Sequence, residues 1–163
     1  MKQLLVILIC LGFIIPASAQ LNAKSKCGDF TVDILDGIVN GNRANVDIEE
    51  LKKNLPCFTS TEEENSTSKC GGGVFYKDRD IYFYTGRDYV QIGEKFKGKM
   101  SIPLIGSKRG SLFSKLGQPK IKDTNWDAYQ TQYGTLVLYY NSAGKVNKIQ
   151  FSTKPSDSMS PCD

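Results

Sequence analysis

Few side chains in this sequence of 163 residues could do chemistry, because it contains no histidine. Histidine is the commonest general base near neutral pH, and without it the Ser-His and Cys-His pairs of nucleophilic catalysis are not available. Serine and lysine are adjacent at Ser107-Lys108 and Ser114-Lys115. Neither pair has the S-x-x-K spacing, and adjacent residues point in different directions on a helix. The sequence therefore predicts that the protein is not an enzyme.

The other chemical candidates have ordinary structural explanations. Paired carboxylates could come from Asp78, Asp80, Asp88 and Asp127, but aspartate is also a common turn residue. The run CGGGVFY from Cys70 has glycines that let backbone N–H groups approach a phosphate, yet no Lys-Ser or Lys-Thr pair follows it. A zinc site would have cysteine ligands only, and the sequence has no C-x-x-C pair. We expect no catalytic residue, no metal and no cofactor.

The start of the chain predicts export. Lys2 precedes an apolar run that ends at Pro16, and an A-x-A cleavage motif ends at Ala19. This pattern is typical of a secretory signal peptide, here residues 1–19. The apolar run is shorter than the roughly 20 residues that a membrane span needs. We therefore expect an exported protein, periplasmic or secreted, with no stable membrane anchor.

The cysteines predict disulfides. Of the five cysteines in the sequence, Cys27, Cys57, Cys70 and Cys162 remain after the predicted cleavage. An even number in an exported chain favours two disulfides over free thiols. Of the three possible pairings, we favour Cys57 with Cys70, which closes a polar loop, and Cys27 with Cys162, which joins the ends of the mature chain.

The whole chain has a formal net charge of +4, and its positive charge is concentrated in the middle. The segment Lys95–Lys122 holds eight lysines and arginines and no acidic residue. Such a segment could make the protein a periplasmic binder of an anionic glycan or lipid, although a solvated Lys-rich surface explains it equally well. Nucleic-acid binding is not expected of an exported chain without a recognised motif. The candidate anion-binding residues are Lys97, Lys99, Lys108 and Arg109.

The first half of the mature chain predicts a hairpin, a short helix, a loop and further strands. The dipeptide Asn40-Gly41 is typical of a tight hairpin turn. Asp47 fits the N-cap of a short helix that Pro56 ends. Residues 59–73 are polar and rich in glycine, which predicts an exposed loop. Alternating aromatic runs then predict strands.

The second half of the chain repeats this order, with a short leucine-bearing helix followed by alternating strands. The two halves can be set in register, so that Ile92 corresponds to Ile149. We therefore predict two tandem units of short helix plus antiparallel β-hairpins, at residues 20–98 and 99–163. Because neither unit has much core alone, we expect an α+β fold in which the units form one sheet and the helices pack on one of its faces.

A family resemblance is carried by residues 106–153. A short helix, the motif Leu-Gly-x-Pro at residues 116–119, two strands, a glycine turn and a last strand follow one another. This order resembles small bacterial envelope domains of the SmpA/OmlA (BamE-like) type, and the tandem arrangement is similar to the β-lactamase-inhibitor-protein fold. The resemblance implies a non-catalytic binder, such as an outer-membrane assembly factor or an inhibitor of secreted enzymes.

Aromatic residues are concentrated on predicted strands whose faces two short helices could not fully cover. Tyrosine and tryptophan bury a large area while keeping a polar group, so they are common in interfaces. We therefore expect a protein-binding module of inhibitor, immunity or envelope-assembly type that docks a protein partner through an aromatic sheet face. Core and cross-strand pairing is the alternative interpretation of each aromatic residue. The candidate partner-binding residues are Tyr82, Tyr84, Tyr89, Trp126 and Tyr139.

Overall fold

The fold is mostly β. The computed structural model describes residues 27–63 and 71–158, and these contain twelve strands in two sheets with two short α-helices. The predicted α+β fold, with tandem helix-plus-hairpin units and helices packed on one face of a sheet, is therefore wrong. The first hairpin joins a separate small sheet, and the helices have only seven and four residues.

The elements are numbered in chain order. Those of the first half are β1 (Thr31–Asp33), β2 (Ile38–Val39), β3 (Asn42–Arg43), α1 (Ile48–Asn54), β4 (Ser60–Glu62), β5 (Gly73–Tyr76), β6 (Ile81–Tyr84) and β7 (Tyr89–Gly93). Those of the second half are β8 (Lys99–Met100), α2 (Phe113–Leu116), β9 (Ile121–Lys122), β10 (Trp126–Gln130), β11 (Thr135–Tyr140) and β12 (Val146–Ser152). Three 3₁₀ helices lie at Thr85–Arg87, Arg109–Ser111 and Ser156–Ser158.

The small sheet has the strand order β3-β2-β1-β8. The predicted tight turn at Asn40-Gly41 is confirmed and joins β2 to β3. Its two residues have φ of 45° and 80°, the left-handed conformation that asparagine and glycine tolerate best. Strand β8 pairs with β1 in parallel, so this sheet joins the two halves of the chain.

The large sheet is antiparallel throughout and has the order β4-β5-β6-β7-β12-β11-β10-β9. Each half of the chain contributes four consecutive strands, and the halves meet at β7 and β12. At this junction Ile92 lies directly opposite Ile149, the residue that corresponds to it in the sequence. The junction places the aromatic strands of both halves in one continuous sheet.

One hydrophobic core joins the two sheets and α1. It lies on one side of the large sheet, because side chains alternate between the two faces along each strand. Its members include Val32, Val39, Leu51, Leu55, Phe83, Ile92, Leu138, Ile149 and Phe151.

The predicted helix cap at the start of α1 is confirmed. The Asp47 carboxylate accepts hydrogen bonds from the backbone N–H groups of Glu49 and Glu50, at 2.8 and 3.3 Å. Leu51 is completely buried, and the Tyr76 hydroxyl donates to the carbonyl of Leu55 at 2.8 Å. The cap and these contacts fix α1 beside β5.

A disulfide joins Cys27 to Cys57, with 5.5 Å between the Cα atoms. The prediction of a disulfide is confirmed, but the favoured pairing of Cys57 with Cys70 and of Cys27 with Cys162 is wrong. The chain turns back after α1 and returns Cys57 to the start of the small sheet, where Cys27 lies. Cys70 and Cys162 lie outside the described residues, as does the predicted signal peptide.

None of the helices described here is long and apolar enough to cross a membrane.

Candidate functional site

The side of the large sheet opposite the core is called the outer face here. Paired residues of antiparallel strands point to the same side, so the register defines a row of side chains across all eight strands. This row consists of Ser60, Phe75, Tyr82, Gln91, Gln150, Val137, Ala128 and Ile121. Residues two positions away on a strand share this side. The predicted partner-binding residues Tyr82, Tyr84, Tyr89, Trp126 and Tyr139 all lie on the outer face.

Four aromatic rings form a continuous cluster on the first half of the outer face. Phe75 lies 5.8 Å from Tyr82 and 5.2 Å from Tyr84, between ring centroids. Tyr84 stacks on Tyr89 at 4.7 Å. These distances are in the range of favourable aromatic pairs, so each ring holds its neighbours in place. We call Phe75, Tyr82, Tyr84 and Tyr89 the aromatic cluster.

A second apolar cluster lies on the other half of the outer face, separate from the main core. Trp126 pairs with Tyr139 across β10 and β11, and Ala128 pairs with Val137. Ala128 and Val137 are buried, whereas Trp126 is partly exposed. Both halves of the chain therefore present apolar side chains on the same side of the sheet.

Polar side chains connect the two clusters. The Tyr139 hydroxyl donates to the side-chain oxygen of Gln150 at 2.9 Å. The amide of Gln150 donates in turn to the side-chain oxygen of Gln91 at 3.0 Å. The ammonium of Lys148 lies 3.8 Å from the centroid of the Tyr139 ring, a cation–π contact. This network fixes side-chain orientation across the junction of β7 and β12.

The predicted partner-binding residues differ in burial. Tyr82, Tyr84 and Trp126 are partly exposed, whereas Tyr89 and Tyr139 are buried. Gln91 and Gln150 were not among the predicted site residues. Their alternation with core residues was visible in the sequence, but their proximity depends on the pairing of β7 with β12.

Arg109, a candidate for anion binding, is instead tied to internal acceptors. Its guanidinium forms a bidentate ion pair with Asp127, with 3.0 Å from Nε to Oδ2. It also donates to the backbone carbonyls of Asp123 and Thr124. The hydroxyl of Tyr140 donates to the same carboxylate at 2.7 Å. These contacts leave Arg109 little capacity to bind an external anion.

The candidate lysines are exposed and divided between two parts of the fold. Lys99 lies on β8 of the small sheet, and Lys97 comes just before that strand. Lys108 comes before α2, where its backbone bridges to Lys145 next to β12. Lys97 and Lys99 therefore belong to the small sheet and the segment before it, whereas Lys108 lies next to Arg109 before α2.

The aspartates considered for acid–base chemistry make structural contacts. Asp80 and Asp88 have a φ of 57°, in the left-handed region that turn aspartates tolerate. The Asp80 carboxylate accepts from the backbone N–H of Lys95 at 2.8 Å. Asp88 accepts from the hydroxyl of Thr153. Within the two described ranges, no three His, Cys, Asp or Glu residues are grouped so that they could hold a metal ion.

Burial shifts the titration of several tyrosines. The pKa of Tyr140 is well above its usual range because the ring is buried and because its hydroxyl donates to Asp127. Burial also raises the pKa of Tyr76 and of Tyr133. Each of these hydroxyls therefore stays neutral in the folded protein at a pH at which an unfolded chain would ionise it.

We expect stability to fall at alkaline pH. The pKa of tyrosine in an unfolded chain is about 10. A raised pKa in the folded state contributes stability that is complete below that pH and is lost as the pH rises towards the folded value. The free energy of unfolding should thus decrease above pH about 10, and tyrosinate absorbance should rise together with unfolding. Urea unfolding at a series of pH values, combined with ultraviolet titration, measures both.

The variant Tyr133→Phe provides a control for this pH dependence. It lacks one of the shifted groups, so it should lose less stability than the wild type between pH about 8 and about 11. If all eight tyrosines ionised in one step at a pH of about 10 while the fold stayed intact, the claim that burial raises the pKa of some of them would be contradicted.

No protein-family model, curated protein or solved structure matches this chain. Its function is therefore inferred from the geometry of the outer face.

Proposed function

We propose that this protein is an exported, non-catalytic binding module that docks a protein partner through the outer face of the large sheet. The observation that carries the proposal is the strand register, which places Tyr82 and Tyr84 of the first half and Trp126 of the second half on one side of the large sheet. The role would be inhibition, immunity or envelope assembly, in the periplasm or outside the cell.

The chemistry of the outer face suits a protein partner. Tyr82, Tyr84 and Trp126 are partly exposed, and tyrosine and tryptophan are enriched among the few residues that contribute most of the binding energy of protein interfaces. The rings of the aromatic cluster pack on one another, and the strands below them are paired on both sides. A surface that is already ordered loses little conformational entropy when it binds.

The covalent chemistry supports export. The Cys27–Cys57 disulfide is of a kind that persists in oxidising compartments and is rare in the cytosol. The predicted signal peptide at residues 1–19 has the same implication.

The alternative is a periplasmic binder of an anionic glycan or lipid that uses the Lys95–Lys122 segment. Three of its four candidate residues, Lys97, Lys99 and Lys108, are exposed. The fourth, Arg109, is held by Asp127 and by two backbone carbonyls. Tyr82 and Trp126 stay partly exposed on the outer face, whereas the guanidinium of Arg109 is bound within the protein, so the protein-docking role is better supported.

We expect Tyr82→Ala and Trp126→Ala each to weaken capture of the partner by about tenfold or more, because each removes a large side chain from the docking surface. The tagged mature protein is crosslinked in its native cells, and captured proteins are quantified by mass spectrometry. Circular dichroism and thermal unfolding confirm that each variant is folded.

The matched control for these variants is Lys53→Ala, an exposed position on α1 away from the outer face. It should capture as much partner as the wild type. Equal capture by all folded variants would show that the outer face does not bind the partner. Loss of capture with Lys97→Glu and Lys99→Glu instead would favour the anionic-ligand role.

A further inference from the structure

Two large apolar side chains are exposed among the described residues, Leu35 at 60% and Phe113 at 59%. A single exposed apolar residue is ordinary and needs no explanation. These two, however, each border a surface hollow, and the two hollows adjoin the same short helix, α2.

The hollows lie on either side of α2. The first, of about 380 Å³, is bordered by Phe113 and Lys122. The second, of about 460 Å³, is bordered by Leu35, Lys115 and Leu116. Tyr129, whose side chain belongs to the main core, borders both hollows. The hollows therefore lie on the core side of the large sheet, away from the outer face.

The charges around α2 are mostly positive and partly uncompensated. Arg109 is neutralised by Asp127, and Lys120 pairs with Asp157 at 2.7 Å. Neither Lys115 nor Lys122 has a carboxylate partner in the described part of the chain. One carboxylate, that of Asp36, borders the second hollow. An acidic partner would complement the excess of lysine.

We propose that α2 is the centre of a second docking surface, which binds an acidic, leucine-bearing segment of a partner protein. The surface consists of Leu35, Phe113, Lys115, Leu116 and Lys122. Apolar side chains of the segment enter the two hollows against Phe113 and Leu35, and its carboxylates pair with Lys115 and Lys122. A peptide suits this shape because its successive side chains can occupy hollows that α2 separates.

This surface is independent of the outer face. The segment Lys108–Lys122 contains no acidic residue, and the carboxylate at the border of the second hollow belongs to Asp36, outside this segment. Tyr129 and Leu136, at the base of the second hollow, pair with each other on the core side of β10 and β11. Variants of the outer face should thus leave binding at α2 unchanged, and the two proposals can fail separately.

The probe is the synthetic peptide acetyl-EDLLEDLE-amide, titrated into the disulfide-bonded mature protein and followed by backbone amide NMR. We expect saturable shift changes at Leu35, Phe113 and Leu116, and weaker binding as salt is added. Phe113→Ser and the double variant Lys115→Glu/Lys122→Glu should each weaken the affinity on the order of tenfold. The same peptide with serine in place of leucine should not bind.

The matched charge control is Lys53→Glu on α1, which should bind the probe like the wild type. Equal shifts with the serine peptide would overturn the proposal, because the hollows would then make no contribution. Shift changes confined to the outer face, no shift changes at all, or an equal loss with Lys53→Glu would also overturn it.

Discussion

Replacing Arg109 by alanine is expected to lower the free energy of unfolding by about 3–5 kcal/mol. The side chain of Asp127 is only 3% exposed and forms a bidentate pair with Arg109. Removing the guanidinium leaves a buried carboxylate whose remaining side-chain donor is the Tyr140 hydroxyl. Loss of one member of a buried ion pair is costly because the other stays desolvated without its partner. Urea unfolding of the purified variant measures the change.

Two further variants separate charge from geometry. Arg109→Lys keeps the positive charge but loses the planar fork that binds Asp127 together with the carbonyls of Asp123 and Thr124, so its stability should be intermediate. The double variant Arg109→Met/Asp127→Leu leaves no unpaired charge and should be more stable than Arg109→Ala. A loss below about 1 kcal/mol for Arg109→Ala would mean that the pair behaves like an exposed ion pair.

Removing the disulfide with Cys27→Ser/Cys57→Ser is expected to cost about 3–4 kcal/mol. The bond joins residues 30 positions apart, so it strongly restricts the unfolded chain. It also fastens the end of α1 to the start of the small sheet. Thermal and urea unfolding of the oxidised wild type and of the double variant give the difference.

Peptide mapping without reduction checks the connectivity directly. It should recover a peptide that contains Cys27 bonded to one that contains Cys57. Recovery of Cys57 bonded to Cys70 would show that the described connectivity is not the one formed in solution. The double variant would then lose stability because it could no longer close the loop between Cys57 and Cys70.

Local features of the fold were predictable because short-range physics determines them. The Asn40-Gly41 turn needs two residues that tolerate positive φ, and the sequence provides them. The cap at Asp47 depends on a side chain and on N–H groups two and three residues ahead. Interactions of this range can be inferred from a few consecutive residues.

The fold class was wrong because it depends on long-range pairing. Strand β8 pairs in parallel with β1, which lies far from it in the sequence. Part of the predicted loop at residues 59–73 is strand β4, which forms because β5 pairs with it. Polar sequence does not prevent a strand at a sheet edge, since one of its sides faces solvent. The predicted cysteine pairing was wrong for the same reason, because the spacing of cysteines in the sequence does not show which of them lie close together in the fold.

The candidate site was partly predictable. Alternation along β6 places Tyr82 and Tyr84 on one side, and this alternation is visible in the sequence. The single row across the sheet requires the pairing of β7 with β12, which joins the two halves. Arg109 looked like an anion-binding residue because its partner Asp127 lies 18 residues away in the sequence. Its internal role became visible only in the folded chain.

Site-specific photo-crosslinking in the native cells tests the central claim, that the outer face docks a protein partner. A photoreactive amino acid is placed in turn at Tyr82, Gln91 and Trp126, with Lys53 on α1 as the control position. We predict that the outer-face positions crosslink to the same protein in near-stoichiometric amount and that Lys53 does not. Capture of lipid or cell-wall material alone, or crosslinking to that protein from Lys53 and not from the outer face, would contradict it.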